Sequence, residues 1–394
     1  MPRDERRGFA TRAIHHAPAR LDQEPSSVPI HQASTFRFES SEDYAETIAF
    51  HRPGSTYSRG FGNPTVAAFE DLMADLEGTE AALGFASGMA AIHTVFVTLA
   101  GGGDRVVASR DLYGGTYSLL HRLAPRWGIA VDLVDVADLA AVEAALPGAA
   151  LLYVETVANP SGKVADLAAL GALAREAGVP TAVDNTFTSP YLCRPAEHGF
   201  DHVIHSATKY IGGHHDLIGG VVSSSLERRD ALRRTVIDTG GTMPAFEAWL
   251  AIRGLQTLGL RMDRHCASAL RIAEYLEGHA KVERVHYAGL PSHPQHDVAR
   301  RILPRGSGGV LSFEVRGGVD AGRRLCDALG LIWVATSLGG THSLAGHAAS
   351  TTHRQMDPEA RRAAGVADGL VRLSVGLEDA EDLLADLDAA LERA

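Results

Sequence analysis

Cysteine is scarce. The 394 residues hold three, Cys193, Cys266 and Cys326, widely separated and with no C-x-x-C. An odd, scattered set excludes a disulfide framework and a cysteine-built zinc site, and it reads as a reduced, cytoplasmic chain. Long apolar runs are also missing: the stretch 90–100 is broken by His93 and Thr94 and falls short of a membrane span. The first residues, MPRDERRGFATRAIHH, are charged and have no apolar centre, so no signal peptide is expected. Positive charge is in deficit, with 37 Lys+Arg against 48 Asp+Glu and a net charge of -11, and there is no basic stripe. Nucleic acid and anionic membrane are therefore not expected as partners.

Glycine-rich nucleotide patterns are incomplete. Gly60-x-Gly62 lacks a third glycine and follows no strand, and Ser161-Gly162-Lys163-Val164 lacks both the earlier glycine and the Ser/Thr of a P-loop. This disfavours a nicotinamide-dependent enzyme. The 19 histidines include His15-His16 and His214-His215, with His342, His347 and His353 in a loop-like stretch. None has an H-E-x-x-H pattern or a carboxylate at ligand spacing, so no metal site is expected.

What is present is an ordinary globular composition, 45% hydrophobic and 22% charged, long enough for two or three domains. Residues 1–60 show little periodicity and carry Pro25, Pro29 and Pro53, so they read as an arm that lies on something else. Phe69, Leu72, Met73 and Leu76 recur at helical spacing, with Gly78 as a C-cap. Apolar runs at 105–108, 131–134, 151–154, 181–183 and 202–204 then alternate with helical segments near 115–127, 138–146 and 166–178. Strands alternating with helices predict an open α/β domain around a mostly parallel sheet. Residues 242–260 read as a Pro-started amphipathic helix with Phe246, Trp249, Leu250 and Leu255 on its apolar side. A smaller α/β unit follows, with helices at 262–276 and 320–329, strands at 309–315, 331–335 and 371–375, and an acidic closing helix at 378–394.

The chemistry concentrates in residues 181–220, TAVDNTFTSPYLCRPAEHGFDHVIHSATKYIGGHHDLIGG. Two buried strands end in Asp184 and in Ser206, Thr208 and Lys209, where parallel strands usually present functional groups. Such a set suits pyridoxal phosphate, with an amine for its aldehyde, a carboxylate for its ring nitrogen and hydroxyls for its phosphate. Spacing alone leaves a plain buried Asp184–Lys209 ion pair as the alternative. At 85–91, FASGMAA places small residues where a helix begins, a position that suits phosphate and equally suits an ordinary capped start. Arg372 stands alone in the apolar strand VRLSV, where it needs a partner, either a structural carboxylate or a bound one.

In this order the segments resemble the Cys/Met-metabolism pyridoxal-phosphate enzymes, which include cystathionine gamma-synthase, cystathionine gamma-lyase, methionine gamma-lyase and the O-acylhomoserine sulfhydrylases. The resemblance is carried by AVDNTF and HSATKYIGGH, by YSR and NPT within 57–65, by SGM at 87–89, by LYGG at 112–115 and by ETVANP at 155–160. It runs from TRAIHH to VRLSVGLED, essentially the whole chain. It implies a fold type I, aspartate-aminotransferase-like architecture with pyridoxal 5'-phosphate as cofactor. It divides the chain into an arm over 1–61 that contacts a neighbouring subunit, a cofactor domain over 62–258 and a C-terminal domain over 259–394.

Site residues follow from the same resemblance. Lys209 binds the cofactor and moves protons, Asp184 holds the ring nitrogen, and Tyr113 stacks on the ring and serves the leaving group. Ser87, Gly88 and Met89 form the phosphate cup with Ser206 and Thr208, and Thr186 joins the cofactor set. Asn159 contacts the cofactor's phenolic oxygen or the substrate carboxylate, and Arg372 clamps that carboxylate with help from Ser337. Thr336 and Gly115 belong to the substrate pocket. Tyr57 and Arg59 reach the neighbour's cofactor phosphate, which requires at least a dimer, and the resemblance implies a homotetramer built from dimers that share active sites.

Choosing the reaction is harder. Cystathionine-handling relatives commonly carry a glutamate where this chain has Thr336. The VRLSVGLED end, GRR at 322–324 and TRAIHH look most like methionine gamma-lyases. Those lyases usually carry a cysteine at the position of Gly115 and a lysine–aspartate pair where this chain has Gly240-Gly241-Thr242. His342 stands where most members have an acid, and the sequence offers no account of it. The expected activity is gamma-elimination on L-methionine or L-homocysteine. The alternatives are cystathionine gamma-lyase, cystathionine gamma-synthase or a sulfhydrylase, or else a catalytically silent member kept as a binding protein.

Overall fold

The computed structural model describes residues 7–15, 25–351, 354, 357 and 366–394, so His16 and His353 lie outside it. Seven strands form the larger sheet. They are β1 (Ala81–Phe85), β2 (Arg105–Ser109), β3 (Ala130–Val134), β4 (Leu151–Glu155), β5 (Thr181–Asp184), β6 (His202–Ser206) and β7 (Gly220–Ser224). Their order is β1-β7-β6-β5-β4-β2-β3. Strands β6, β5, β4, β2 and β3 are parallel, and β7 is antiparallel to both β1 and β6. The apolar β4, LLYVE, is buried along its whole length, as a parallel strand covered by helices on both faces requires.

The five runs predicted from alternation are all strands. Strands β1 and β7, AALGF and GVVSS, were not among them. Their small residues give a weak signal, and they pair with each other across 135 or more positions of chain. That pairing matters for the site. Gly220 is flanked by Phe85 on one side and Ser206 on the other, so the turn after β1 lands beside the end of β6. A Cβ at Gly220 would lie 2.3 Å from the Ser87 carbonyl oxygen, so only glycine admits this approach.

The direction of sheet growth reverses beside β2. Strand β3 lies outside β2, whereas β4 lies on its other side. The β2–β4 ladder runs from Val106–Leu151 to Ala108–Tyr153. Past it, the segments after β2 and β4 diverge around a crevice, the place where open α/β sheets bind ligands.

The helix Pro64–Glu77 starts on Asn63, whose side chain accepts from the Thr65 and Val66 amides, and ends on left-handed Gly78. The segment expected to be helical near 115–127 is so, as three consecutive short pieces, Gly114–Ser118, Leu119–Leu123 and Ala124–Trp127, the last carrying Pro125, which has no amide to donate. One predicted helix differs from expectation. Residues 242–260 break at Gln256–Thr257 into Ala245–Leu255 and the start of Leu258–Glu277. On the first of these the buried face is Ala248, Ala251, Ile252 and Leu255, while Phe246 is exposed.

Helix Leu258–Glu277 joins the two halves of the molecule. Its Leu258, Met262 and Cys266 belong to the core of the larger sheet, and its Ala269, Ile272, Ala273 and Leu276 to that of the smaller. The smaller sheet has β8 (Val282–His286), β9 (Val310–Val315), β10 (Trp333–Val334), β11 (Leu344–His347) and β12 (Leu370–Ser374), in the order β10-β11-β12-β9-β8. Helices Gly318–Ala328 and Ala380–Glu392 pack on it through Leu325, Leu383 and Leu387. Among the described residues no helix is long and apolar enough to cross a membrane.

Candidate active site

A cavity of about 780 Å³ opens where the ends of β4, β5 and β6 face the smaller sheet. Ser87, Gly88 and Met89 line it at the N-terminus of helix Gly88–Leu99. Ser87 caps that helix by accepting from the Ala90 amide at 3.0 Å. Gly88 sits against Ser206, where a Cβ would come within 2.8 Å of the serine Cβ. Ser206 and Thr208 complete this corner, and Thr208 exchanges hydrogen bonds with the backbone of Gly219. Hydroxyls converging on the amide end of a twelve-residue helix suit a phosphate group.

Asp184 ends β5 and Lys209 follows β6, and both line the cavity. Burial raises the Asp184 carboxyl, and the Thr186 side chain, the Thr186 amide at 3.0 Å, His205 and Lys209 pull it back toward the ionised form. Thr186 also accepts from the Ser206 amide at 2.8 Å, which ties the ends of β5 and β6 together. Burial, and after it the charge of Arg372, bring the Lys209 amine down to about 8, with Asp184 opposing. A lysine held close to neutrality suits covalent capture of an aldehyde, since the free amine is the nucleophile.

The smaller sheet supplies the opposite wall. Arg372, in the middle of β12, donates from Nη2 to the Ser337 carbonyl at 2.8 Å and from Nη1 to Asn159 Oδ1 at 3.4 Å. Burial lowers its pKa, so a carboxylate ligand would repay part of the cost of holding the charge there. Thr336 and Ser337 line the same wall. Tyr113, half exposed, and Gly115 come from the loop after β2, and Asn159 from the loop after β4. Fourteen of the sixteen residues named from sequence thus share one cavity.

Tyr57 and Arg59 do not reach it. Tyr57 is exposed and lines a separate hollow with Thr35, Phe36 and Phe61. Arg59 donates to the carbonyl of Ile237 and lies 5.8 Å from the Tyr57 ring centre.

Glu155, at the end of β4, lines the cavity and carried no assigned role in the sequence reading. Its register neighbour is Asp184. Burial first, then Asp184, push its carboxyl well up, against hydrogen bonds from the Tyr113 and Asn159 amides. The signal that pointed to Asp184, an acid closing an apolar run, is present in LLYVE as well. His342 now has a place. It is stacked on Trp333 with ring centres 4.1 Å apart, close to the cavity but not in its lining. His347 is buried and bonded to the Asp368 carbonyl, a structural role. Among the described residues no cluster of three His, Cys, Asp or Glu side chains is arranged to hold a metal.

The model of the Cys/Met metabolism PLP-dependent enzymes matches residues 10–392. An L-methionine gamma-lyase of Pseudomonas putida is 46% identical over 389 residues, 98% of this chain and 97% of that one. An O-succinylhomoserine sulfhydrylase of Pseudomonas aeruginosa is 44% identical over 380 residues, 96% of this chain and 94% of its own. A crystal structure of a putative O-acetylhomoserine (thiol)-lyase from Campylobacter jejuni superposes with a TM-score of 0.93 at 30% identity. It covers 98% of this chain and 100% of its own, and it carries N'-pyridoxyl-lysine-5'-monophosphate. With a lysine near neutrality, an acid on the next strand end and hydroxyls at a helix N-terminus in one cavity, the residues present fit pyridoxal phosphate. The chain belongs to the Cys/Met metabolism PLP-dependent enzymes.

Proposed function

We propose that the protein is a gamma-lyase of sulfur amino acids, converting L-methionine or L-homocysteine with one water to 2-oxobutanoate, ammonia and a thiol. The observation that carries this is the convergence of Lys209, Asp184, Tyr113 and Arg372 on a cavity that also presents an apolar wall, with Phe187, Ile218, Val334 and Leu338. Thr336 stands on that wall in place of an acid. Such a wall suits a thioether and offers no partner to a distal ammonium.

The cofactor, when bound, supplies the electron sink for the charge left at Cα once its proton is removed. The protein groups divide the remaining work. Asp184, at the end of β5, would hold the ring nitrogen of the cofactor protonated. Arg372 receives the substrate carboxylate with a planar fork, and Asn159 and the Ser337 carbonyl orient that fork. The Lys209 amine, close to half-protonated near pH 8, takes the Cα proton and returns a proton along the chain. The Tyr113 hydroxyl protonates the departing sulfur.

The arm over 1–61, the cofactor domain over 62–258 and the C-terminal domain over 259–394 act together in a cytoplasmic homotetramer built from dimers. Tyr57 and Arg59 complete the phosphate site of the neighbouring subunit, in keeping with their exposure and their absence from the lining of their own cavity.

Gamma-replacement is the second reading. It is favoured by Gly115 and by Gly240-Gly241-Thr242, which depart from the lyase pattern, and by the 44% identity to the sulfhydrylase. One assay separates the readings. Purified holoenzyme receives methionine, homocysteine, cystathionine or an O-acylhomoserine plus a thiol in separate reactions. Methanethiol and 2-oxobutanoate from methionine support the lyase. Thiol capture or cystathionine turnover with methionine and homocysteine inert moves the enzyme to replacement or transsulfuration. A normal cofactor spectrum with no turnover of any of them supports a silent binding member.

A further inference from the structure

The crevice beside β2 is lined by two loops that no ladder joins. One carries Tyr113 and the other Asn159. The β2–β4 ladder stops at Ala108–Tyr153, five residues before Tyr113 and six before Asn159. Glu155 stands between them and is 6% exposed. Its Oε1 accepts from the Tyr113 amide at 2.6 Å, and its Oε2 accepts from the Asn159 amide at 3.2 Å. An outer tie joins the same loops, since Lys163 Nζ lies 2.8 Å from Asp111 Oδ2 and 3.6 Å from Asp135 Oδ2.

We propose that Glu155 is a positioning residue that sets the distance between the Tyr113 ring and the Asn159–Arg372 clamp by holding both loops through their backbone amides. The inference rests on the reading of Tyr113 and Arg372 given above.

Three features make this more than a buried hydrogen bond. Tyr113 precedes Gly114 and Gly115, which impose little conformation of their own, so the amide anchor does much to determine where the ring lies. Asn159 passes its position on, because its Oδ1 accepts from Arg372. Two donors also converge on two oxygens, a demand that only a carboxylate meets, since a glutamine would present one NH2 group to an N–H. An aspartate would fall one methylene short of both amides. Glu155 thus acts at the reacting centre without touching it, from a strand that the rest of the sheet holds rigid.

The test uses full-length holoenzyme with cofactor content matched by absorbance. Glu155→Gln is expected to load cofactor and to lose about tenfold in kcat/KM, the loss of one buried hydrogen bond to a loop amide, with a rise in KM for the amino acid. It is also expected to alter the visible circular-dichroism band of the bound cofactor, because the ring that stacks on it has shifted. In an Asn159→Ala background the same change should cost clearly less than in the wild type, because part of its effect passes through Asn159. Wild-type KM, kcat and dichroism in Glu155→Gln would overturn the proposal, as would full additivity with Asn159→Ala. If Glu155→Gln does not fold, Glu155→Asp takes its place, since it keeps the carboxyl group and draws it back from both amides. With it an altered dichroism band with raised KM is expected, and an unchanged band with unchanged KM overturns the proposal. The dichroism reads Glu155 whatever the substrate is. Failure of the lyase reading appears as absence of product from the wild type, and failure of this inference as identical bands in wild type and variant.

Discussion

Lys209 and Ser337, 128 positions apart in the chain, meet in a 2.7 Å hydrogen bond from the lysine Nζ to the serine hydroxyl. The bond links the end of β6 in the larger sheet to the segment that follows β10 in the smaller one. Ser337 is held at φ 81°, in the left-handed region that favours glycine, and its carbonyl accepts from Arg372 at 2.8 Å. A single strained residue therefore contacts both Lys209, the proposed cofactor lysine, and Arg372, the proposed carboxylate clamp, the kind of outlier that marks a functional position.

Replacing Ser337 separates its two properties. Ser337→Ala should lower kcat/KM about tenfold by removing the hydrogen bond between its hydroxyl and the Lys209 nitrogen, while cofactor content stays near that of the wild type. Ser337→Gly removes the same hydroxyl but relieves the backbone, so it should match the alanine variant in activity and melt higher by thermal denaturation. Equal melting temperatures would show that φ carries no cost here.

The pH dependence of the apoprotein follows from Lys209. Its pKa of about 8 in the fold lies below the ordinary 10.5, chiefly through burial. The lysine's contribution to stability is therefore full above the unfolded value and is lost as pH falls through about 8. Lys209→Met apoprotein should be more stable than wild type at pH 7, by about 3 kcal/mol, with the gap closing at high pH. Cofactor capture by wild-type apoprotein should accelerate with a midpoint near 8. Arg372→Leu should move that midpoint upward, because the arginine charge is the second cause of the depression. Stopped-flow absorbance across pH checks both.

Gly115 gives the Tyr113 ring its room. A Cβ at residue 115 would lie 2.5 Å from Tyr113 Cε1 and 2.9 Å from the Met89 sulfur. Because Tyr113 is half exposed, its ring can swing away at little cost to folding. Gly115→Ala should leave the stability within about 1 kcal/mol of the wild type. It should nevertheless change kcat and the cofactor dichroism. Unaltered dichroism would mean that the ring does not rest against residue 115 in the holoenzyme.

Sharing of sites between subunits is tested by mixing. Arg59→Ala and Lys209→Ala oligomers should each be nearly inactive. Dissociated and reassembled together, they should recover up to roughly a quarter of the wild-type activity, because some sites then draw both intact residues from different chains. No recovery in oligomers shown to be mixed would place Arg59 outside the neighbour's site.

Much of the site was legible in the chain because parallel strands present chemistry at their ends. Asp184, Ser206 and Lys209 each close or follow a short apolar run, and a run's end can be located from polarity alone. Arg372 was legible because a charge inside VRLSV needs a partner. The helix at 64–77 declared itself through Asn63, Pro64 and Gly78, since capping is a local interaction. Motif resemblance then supplied the cofactor.

Other features depend on distance and were not legible. Strands β1 and β7 are built of small residues and exist because each pairs with the other across the chain, so no local period announces them. Phe246 reads as one of the apolar residues of its helix, yet only packing decided that Ala248, Ala251 and Ile252 are buried while Phe246 is exposed. Glu155 reads as the first letter of a motif, and its two amide partners lie 42 and 4 residues away. A sequence determines which groups can donate, accept or carry charge. Which of them meet is decided by strand order and register, because those contacts join segments whose separation along the chain says nothing of their separation in space.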